Sequence, residues 1–136
     1  MKESGRPVRK RVLVIDDEEK IRKLIKRFLQ RWEYDVEESA DGEQAVEELR
    51  KNNFDLLICD IRMPRKNGWE VLEEVKSSPK TSSIPVIVLT GMNDDDDMLR
   101  SYDSGAGYYI SKPFTASQLL YGVRMMFGEV EHCWRA

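Results

Sequence analysis

Four short apolar runs, each closed by a reactive polar residue, constrain this chain more than any other feature. Val12-Leu13-Val14-Ile15 runs into Asp16-Asp17, and Leu56-Leu57-Ile58-Cys59 runs into Asp60. Pro85-Val86-Ile87-Val88-Leu89 ends in Thr90, and Tyr108-Tyr109-Ile110-Ser111 ends in Lys112. Runs of this length, rich in β-branched residues and without alternation, suit strands buried on both faces of a parallel sheet. Ligand sites in open parallel sheets lie beyond the carboxyl ends of the strands. Four such strands side by side would bring three carboxylates, a hydroxyl and an ammonium group to one patch.

Strand and helix patterns alternate five times, the signature of βαβ units covered on both faces. Ile21, Leu24, Ile25, Phe28, Leu29 and Trp32 recur at helical spacing, so residues 18–32 read as an amphipathic helix. A short strand is expected at Tyr34–Glu38. A second helix follows the turn at Ser39–Gly42 and turns Ala45, Val46 and Leu49 inward. The third strand, Asp55–Asp60, leads into a loop with Met63-Pro64 and Asn67-Gly68, then a helix with Val71, Leu72 and Val75 inside. That helix must end before Pro79, because the residue ahead of a proline disfavours helical geometry. After the strand starting at Pro85, Asn93 is placed to cap a fourth helix whose first turn holds Asp94–Asp97, and Gly105 ends it. A strand at Gly107–Ser111 and a fifth helix at Thr115–Phe127 complete the pattern. The economical topology is an α/β, doubly wound, five-stranded parallel sheet of order 2-1-3-4-5. In that order the first and third strands are neighbours, and Asp16, Asp17 and Asp60 meet.

The 136 residues suffice for one domain with a real core. We expect that domain over 11–128, with a basic tail at 1–10 and a tail or truncated linker at 129–136. The acidic residues number 25 against 22 basic ones, a net charge of -3, which argues against general nucleic-acid binding. No apolar stretch approaches membrane-span length. Cys59 and Cys133 form no plausible staple and no zinc-type spacing, and His132 stands alone, so a reducing cytoplasmic setting is expected.

Carboxylates crowded at strand ends repel one another, so such a site needs a cation or a raised pKa. An all-oxygen set suits a hard divalent ion, and Mg²⁺ commonly uses few protein ligands while keeping several waters. An aspartate can itself be a nucleophile that forms an aspartyl phosphate. Phosphoryl transfer asks the protein mainly for positioning and charge neutralisation. The metal and Lys112 would neutralise phosphoryl oxygens, Thr90 would offer its hydroxyl, and one aspartate would attack in line.

Over residues 10–128 the chain resembles the receiver domain of two-component response regulators, a CheY-like, flavodoxin-like family. The resemblance is carried by V-L-V-I-D-D at 12–17, D-L-L-I-C-D-I-R-M-P at 55–64, Asn67-Gly68, I-P-V-I-V-L-T-G at 84–91 and G-A-G-Y-Y-I-S-K-P-F at 105–114. It implies that Asp60 is the phosphoacceptor, taking its phosphoryl group from a phosphohistidine on a sensor histidine kinase or histidine phosphotransfer protein. It further implies Mg²⁺ held by Asp17 directly, by Asp16 largely through water, by Asp60, and by the backbone carbonyl of Arg62. Thr90 and Lys112 would contact the phosphoryl group, and the Lys112-Pro113 bond would be cis. Thr90 and Tyr109 would form the switch, the tyrosine turning inward as the threonine moves toward the phosphoryl group. A downstream partner protein would bind the face made by the fourth helix, fifth strand and fifth helix. No direct contact with nucleic acid or membrane is implied.

Arg62 and Met92 occupy positions that tune phosphoryl hydrolysis in this family, and both are large enough to hinder the attacking water, so a long-lived phosphoform is expected. The competing readings are a phosphorylation-independent binding module of the same fold and a haloacid-dehalogenase-like Mg²⁺ phosphatase. The intact Asp17, Asp60, Thr90 and Lys112 weigh against the first. The second would want an Asp-x-Asp pair, whereas here the residue two after Asp16 is Glu18. An FMN site of flavodoxin type is disfavoured by the acidic first loop, where a phosphate-binding loop needs Ser, Thr and Gly.

Overall fold

Apolar runs too uniform for a one-sided sheet become strands covered on both faces. A computed structural model describes residues 9–91 and 105–129. Among them the elements run β1 (Arg11–Ile15), α1 (Glu19–Arg31), β2 (Asp35–Ser39), α2 (Gly42–Lys51), β3 (Leu56–Asp60), α3 (Gly68–Ser77), β4 (Val86–Thr90), β5 (Tyr108–Ser111) and α4 (Ala116–Met126). The strands form one sheet of order β2-β1-β3-β4-β5, every neighbouring pair parallel. This is the doubly wound topology expected from the sequence. The helix expected from Asn93 to Gly105 lies outside the described residues, as do Met92, His132, Cys133, Trp134 and most of the basic N-terminal tail.

Alternate residues of β1, β3, β4 and β5 feed two cores. Val12, Val14, Leu56, Ile58, Ile87, Leu89 and Ile110 pack with Ile25 and Leu29 of α1 and Leu119 and Val123 of α4. Leu13, Ile15, Leu57, Cys59, Val86 and Val88 pack with Ala45 and Leu49 of α2 and Val71, Leu72 and Val75 of α3. β3 and β4 are buried along their whole length. Leu24, expected on the inner face of α1, is instead exposed. At 100° per residue it lies at the margin of the stripe, well away from the arc centred between Ile25 and Leu29.

Local chemistry sets the helix ends. Asp41, Asn67 and Thr115 cap α2, α3 and α4, each accepting a hydrogen bond from the backbone N–H three residues on. The Asn67 and Thr115 backbone N–H groups donate in return to the Glu70 and Gln118 side chains, completing a capping box at each. The other end of α1 closes with the Tyr34 N–H on the Leu29 carbonyl and the Glu33 N–H on the Gln30 carbonyl, which puts Glu33 at φ +72°.

One close approach bears on the carboxyl end of β3. A Cβ on Gly68 would lie 2.3 Å from the Asp60 carbonyl oxygen and 2.7 Å from the Ile61 Cα. Only glycine lets the start of α3 fold back against the residue that ends β3. Gly68→Ala is therefore expected to cost about 1–3 kcal/mol in urea unfolding, since the clash is with backbone. Glu33→Gly is expected to gain about 0.5–1 kcal/mol by relieving the left-handed geometry. An unchanged unfolding midpoint for either variant would contradict the corresponding packing or strain argument.

Candidate functional site

The carboxyl ends of β1, β3, β4 and β5 converge on one patch, as the order of strands requires. Asp16 directly follows β1, and its backbone N–H donates to the Ser39 carbonyl at the end of β2. It is fully buried. Its Oδ1 accepts from the Glu18 N–H at 2.9 Å, and its Oδ2 lies 3.0 Å from Lys112 Nζ in an ion pair without hydrogen-bond alignment. Asp17 is exposed at the rim. Asp60 is the last residue of β3 and only 5% exposed. Carboxylate oxygens of Asp16, Asp17 and Asp60 come within 4.8 Å of one another.

Lys112 is the counterweight. Its Nζ lies 3.0 Å from Asp16 Oδ2, 3.2 Å from Glu18 Oε1 and 3.3 Å from Asp60 Oδ1. Its backbone N–H donates to the Thr90 carbonyl at 2.8 Å, and the bond that follows it, Lys112-Pro113, is cis as expected. Thr90 is buried at the end of β4, in register with Ser111 of β5. Tyr109 is half-buried against the core on the α2–α3 side of the sheet. Arg62 is exposed, two residues past Asp60 in the loop leading to α3. The structure thus gathers Asp16, Asp17, Asp60 and Lys112 into direct proximity. Thr90 sits beside them through the backbone of Lys112.

Glu18 belongs to this group, although the sequence reading gave it no role. It is the N-cap of α1 by position, yet its side chain makes no capping bond and reaches Lys112 instead. The signal was present as a third acid in Asp16-Asp17-Glu18, but only the β1–β5 geometry shows which cation it meets.

Burial governs the electrostatics. It raises the pKa of Asp16, against the opposing pull of the Glu18 N–H and Lys112. Burial, reinforced by the neighbouring Asp16 charge, pushes Asp60 up to about 6 despite Lys112. Burial works against the Lys112 ammonium too, but Asp16, Asp60 and Glu18 outweigh it and hold its pKa above the ordinary lysine value. Four carboxylates around one ammonium leave an excess of negative charge. The misaligned, fully buried Asp16 Oδ2 adds an oxygen with unused acceptor capacity. This all-oxygen set fits a hard divalent cation, which would supply the missing positive charge.

A family model for the response regulator receiver domain matches residues 12–124. The chain belongs to that family. The probable transcriptional regulator ycf27 of Porphyridium aerugineum is 34% identical over 123 residues, covering 90% of this chain and 50% of its own. The chain spans about half the length of the curated relatives it matches. Among solved structures, chemotaxis protein CheY4 of Vibrio cholerae superposes with a TM-score of 0.82 at 29% identity, over 88% of this chain and 99% of that one. The signal receiver domain of a signal transduction histidine kinase from Syntrophus aciditrophicus gives 0.82 at 30% identity, covering 90% and 93%. The chain is a response regulator receiver domain of the two-component type, and no helix among its described residues is long and apolar enough to cross a membrane.

The raised pKa of Asp60 carries a definite sign. Between the ordinary carboxylate value and about 6, the folded receiver holds a proton that the unfolded chain has released, so stability falls as pH rises through that window. Asp16 acts in the same direction. At Glu38, burial opposes ionisation, but Lys23, Arg22 and Lys26 outweigh it and lower the pKa, so that group weakens the fold only at lower pH. Metal-free receiver is expected to melt about 2–5 °C higher at pH 5.5 than at pH 7.5. Asp60→Asn or millimolar divalent cation should recover that difference at pH 7.5. A melting temperature independent of both would show that the carboxylates are not in conflict.

Proposed function

We propose that this receiver is a phosphorylation-activated switch that accepts a phosphoryl group on Asp60 from a phosphohistidine of a sensor histidine kinase or phosphotransfer protein. The observation that carries the reading is the meeting of Asp16, Asp17 and Asp60 within 4.8 Å, with Lys112 Nζ 3.3 Å from Asp60 Oδ1. Asp60 is the better nucleophile of the two buried acids. Asp16 is fully enclosed with Oδ1 committed to the Glu18 N–H, whereas Asp60 keeps some exposure at the end of a central strand.

In the transfer an Asp60 carboxylate oxygen forms a bond to phosphorus. The bond from phosphorus to the histidine nitrogen breaks, and its electron pair leaves with the imidazole, which is protonated. The product is an acyl phosphate, and attack by water on its phosphorus returns Asp60 and inorganic phosphate. Asp16, Asp17, Asp60 and the Arg62 backbone carbonyl would hold Mg²⁺, which when bound would supply charge neutralisation for the phosphoryl oxygens. Lys112 takes up part of the new negative charge, and the Thr90 hydroxyl donates to a phosphoryl oxygen. Thr90 and Tyr109 then relay the change to the face around β5 and α4, where a downstream protein docks. A full reversal of a minor active state needs about 5.5 kcal/mol of preference. New charge-assisted hydrogen bonds at Asp60 are the source of that preference. The exposed Arg62 shields the acyl phosphate from water and lengthens its life.

Incubation with acetyl phosphate and Mg²⁺ is expected to add the mass of one phosphoryl group to the intact chain. The gain should vanish without Mg²⁺ and in Asp60→Asn. Lys112→Ala should slow it by about 10²-fold, the scale of losing one preorganised donor. A gain that persists in Asp60→Asn would move the acceptor elsewhere. No gain, together with no binding of beryllofluoride, would favour a phosphorylation-independent module.

A further inference from the structure

We propose that Glu18 is a positioning residue that restrains Lys112 in the resting receiver and sets how readily the site accepts a phosphoryl group. The inference rests on the proposed phosphorylation of Asp60 and deepens it. Lys112 offers three N–H donors, and three carboxylates stand around them at 3.0, 3.2 and 3.3 Å. Two of these, Asp16 and Asp60, are buried; the Glu18 side chain is 60% exposed at the mouth of the site.

The chemistry of the three partners differs once a phosphoryl group arrives. Asp16 and Asp60 belong to the acid group that a divalent cation would neutralise, so their claim on the ammonium weakens. Glu18 lies outside that group, and its charge remains. It therefore competes with the phosphoryl oxygens for Lys112, and it repels any anionic donor entering past the mouth. Its position has no other evident purpose: it caps no N–H of α1, unlike the capping residues of the three other described helices. A carboxylate spent in this way lowers phosphoryl affinity and keeps Lys112 ordered before transfer.

The test compares wild type, Glu18→Gln and Glu18→Asp. Beryllofluoride serves as the phosphoryl mimic at saturating Mg²⁺, and Mg²⁺ affinity is measured separately without it. Glu18→Gln removes the charge, and Glu18→Asp keeps it but shortens its reach. Glu18→Gln is expected to bind beryllofluoride about 3–10-fold more tightly, while its affinity for Mg²⁺ alone stays the same or falls slightly, as loss of one nearby negative charge requires. Glu18→Asp should fall between wild type and Glu18→Gln. A merely structural role at the start of α1 would weaken both ligands together and lower the melting temperature. Beryllofluoride affinity that is unchanged or weaker in Glu18→Gln would overturn the proposal. Failure of wild type to bind beryllofluoride at all would overturn the phosphorylation reading itself, and this inference with it.

Discussion

One ammonium group makes this site possible. Asp16 and Asp60 end adjacent parallel strands, so the register that builds the core also forces two buried carboxylates together. Lys112 is delivered from beyond β5, at the far side of β4, and its long side chain spans back to both. Its backbone N–H is meanwhile tied to the end of β4 at Thr90. The Asp16 N–H is tied to the end of β2 at Ser39. Through one residue and its partner, the carboxyl ends of all five strands are connected. A change of charge at Asp60 must therefore redistribute bonds that reach across the sheet.

The same geometry explains why the site is costly as well as functional. Burial and mutual repulsion push the carboxylates toward protonation, and one lysine offsets only part of that. The apolar cores on both faces of β1, β3 and β4 hold the strand ends in place regardless. Core burial is insensitive to the charge state of the strand ends, so the scaffold tolerates carboxylates that one lysine offsets only in part. A cation placed among Asp16, Asp17 and Asp60 would meet carboxylate oxygens already positioned.

Much of this was legible in the sequence because the buried strands write themselves as unbroken apolar runs. Where a run ends, a polar side chain emerges at the sheet's carboxyl edge, and so Asp16, Asp60, Thr90 and Lys112 could be placed together before any coordinate. Strand order followed from the crossover rule. Leu24 was misplaced because helical periodicity marks a stripe without locating its edges, and an apolar residue on the margin can face water. Glu18 was missed for a different reason. Its role depends on a contact across 94 positions of sequence, and no local pattern announces which acid a distant lysine will choose.

The two strand faces also suggest how a local event becomes a readable one. Tyr109 packs toward the α2–α3 side, while its neighbours Tyr108 and Ile110 pack toward α1 and α4. Successive residues of β5 therefore sample opposite cores, and only Ile110 of this edge strand is fully buried. An edge strand with half-buried aromatics on both faces has room to repack that β3 and β4, enclosed throughout, do not. If Lys112 shifts from Glu18 toward a phosphoryl group, the displacement enters the sheet at the end of this strand, one residue past Ser111. The strand that leads into Lys112 is thus an edge strand that is less enclosed than β3 and β4.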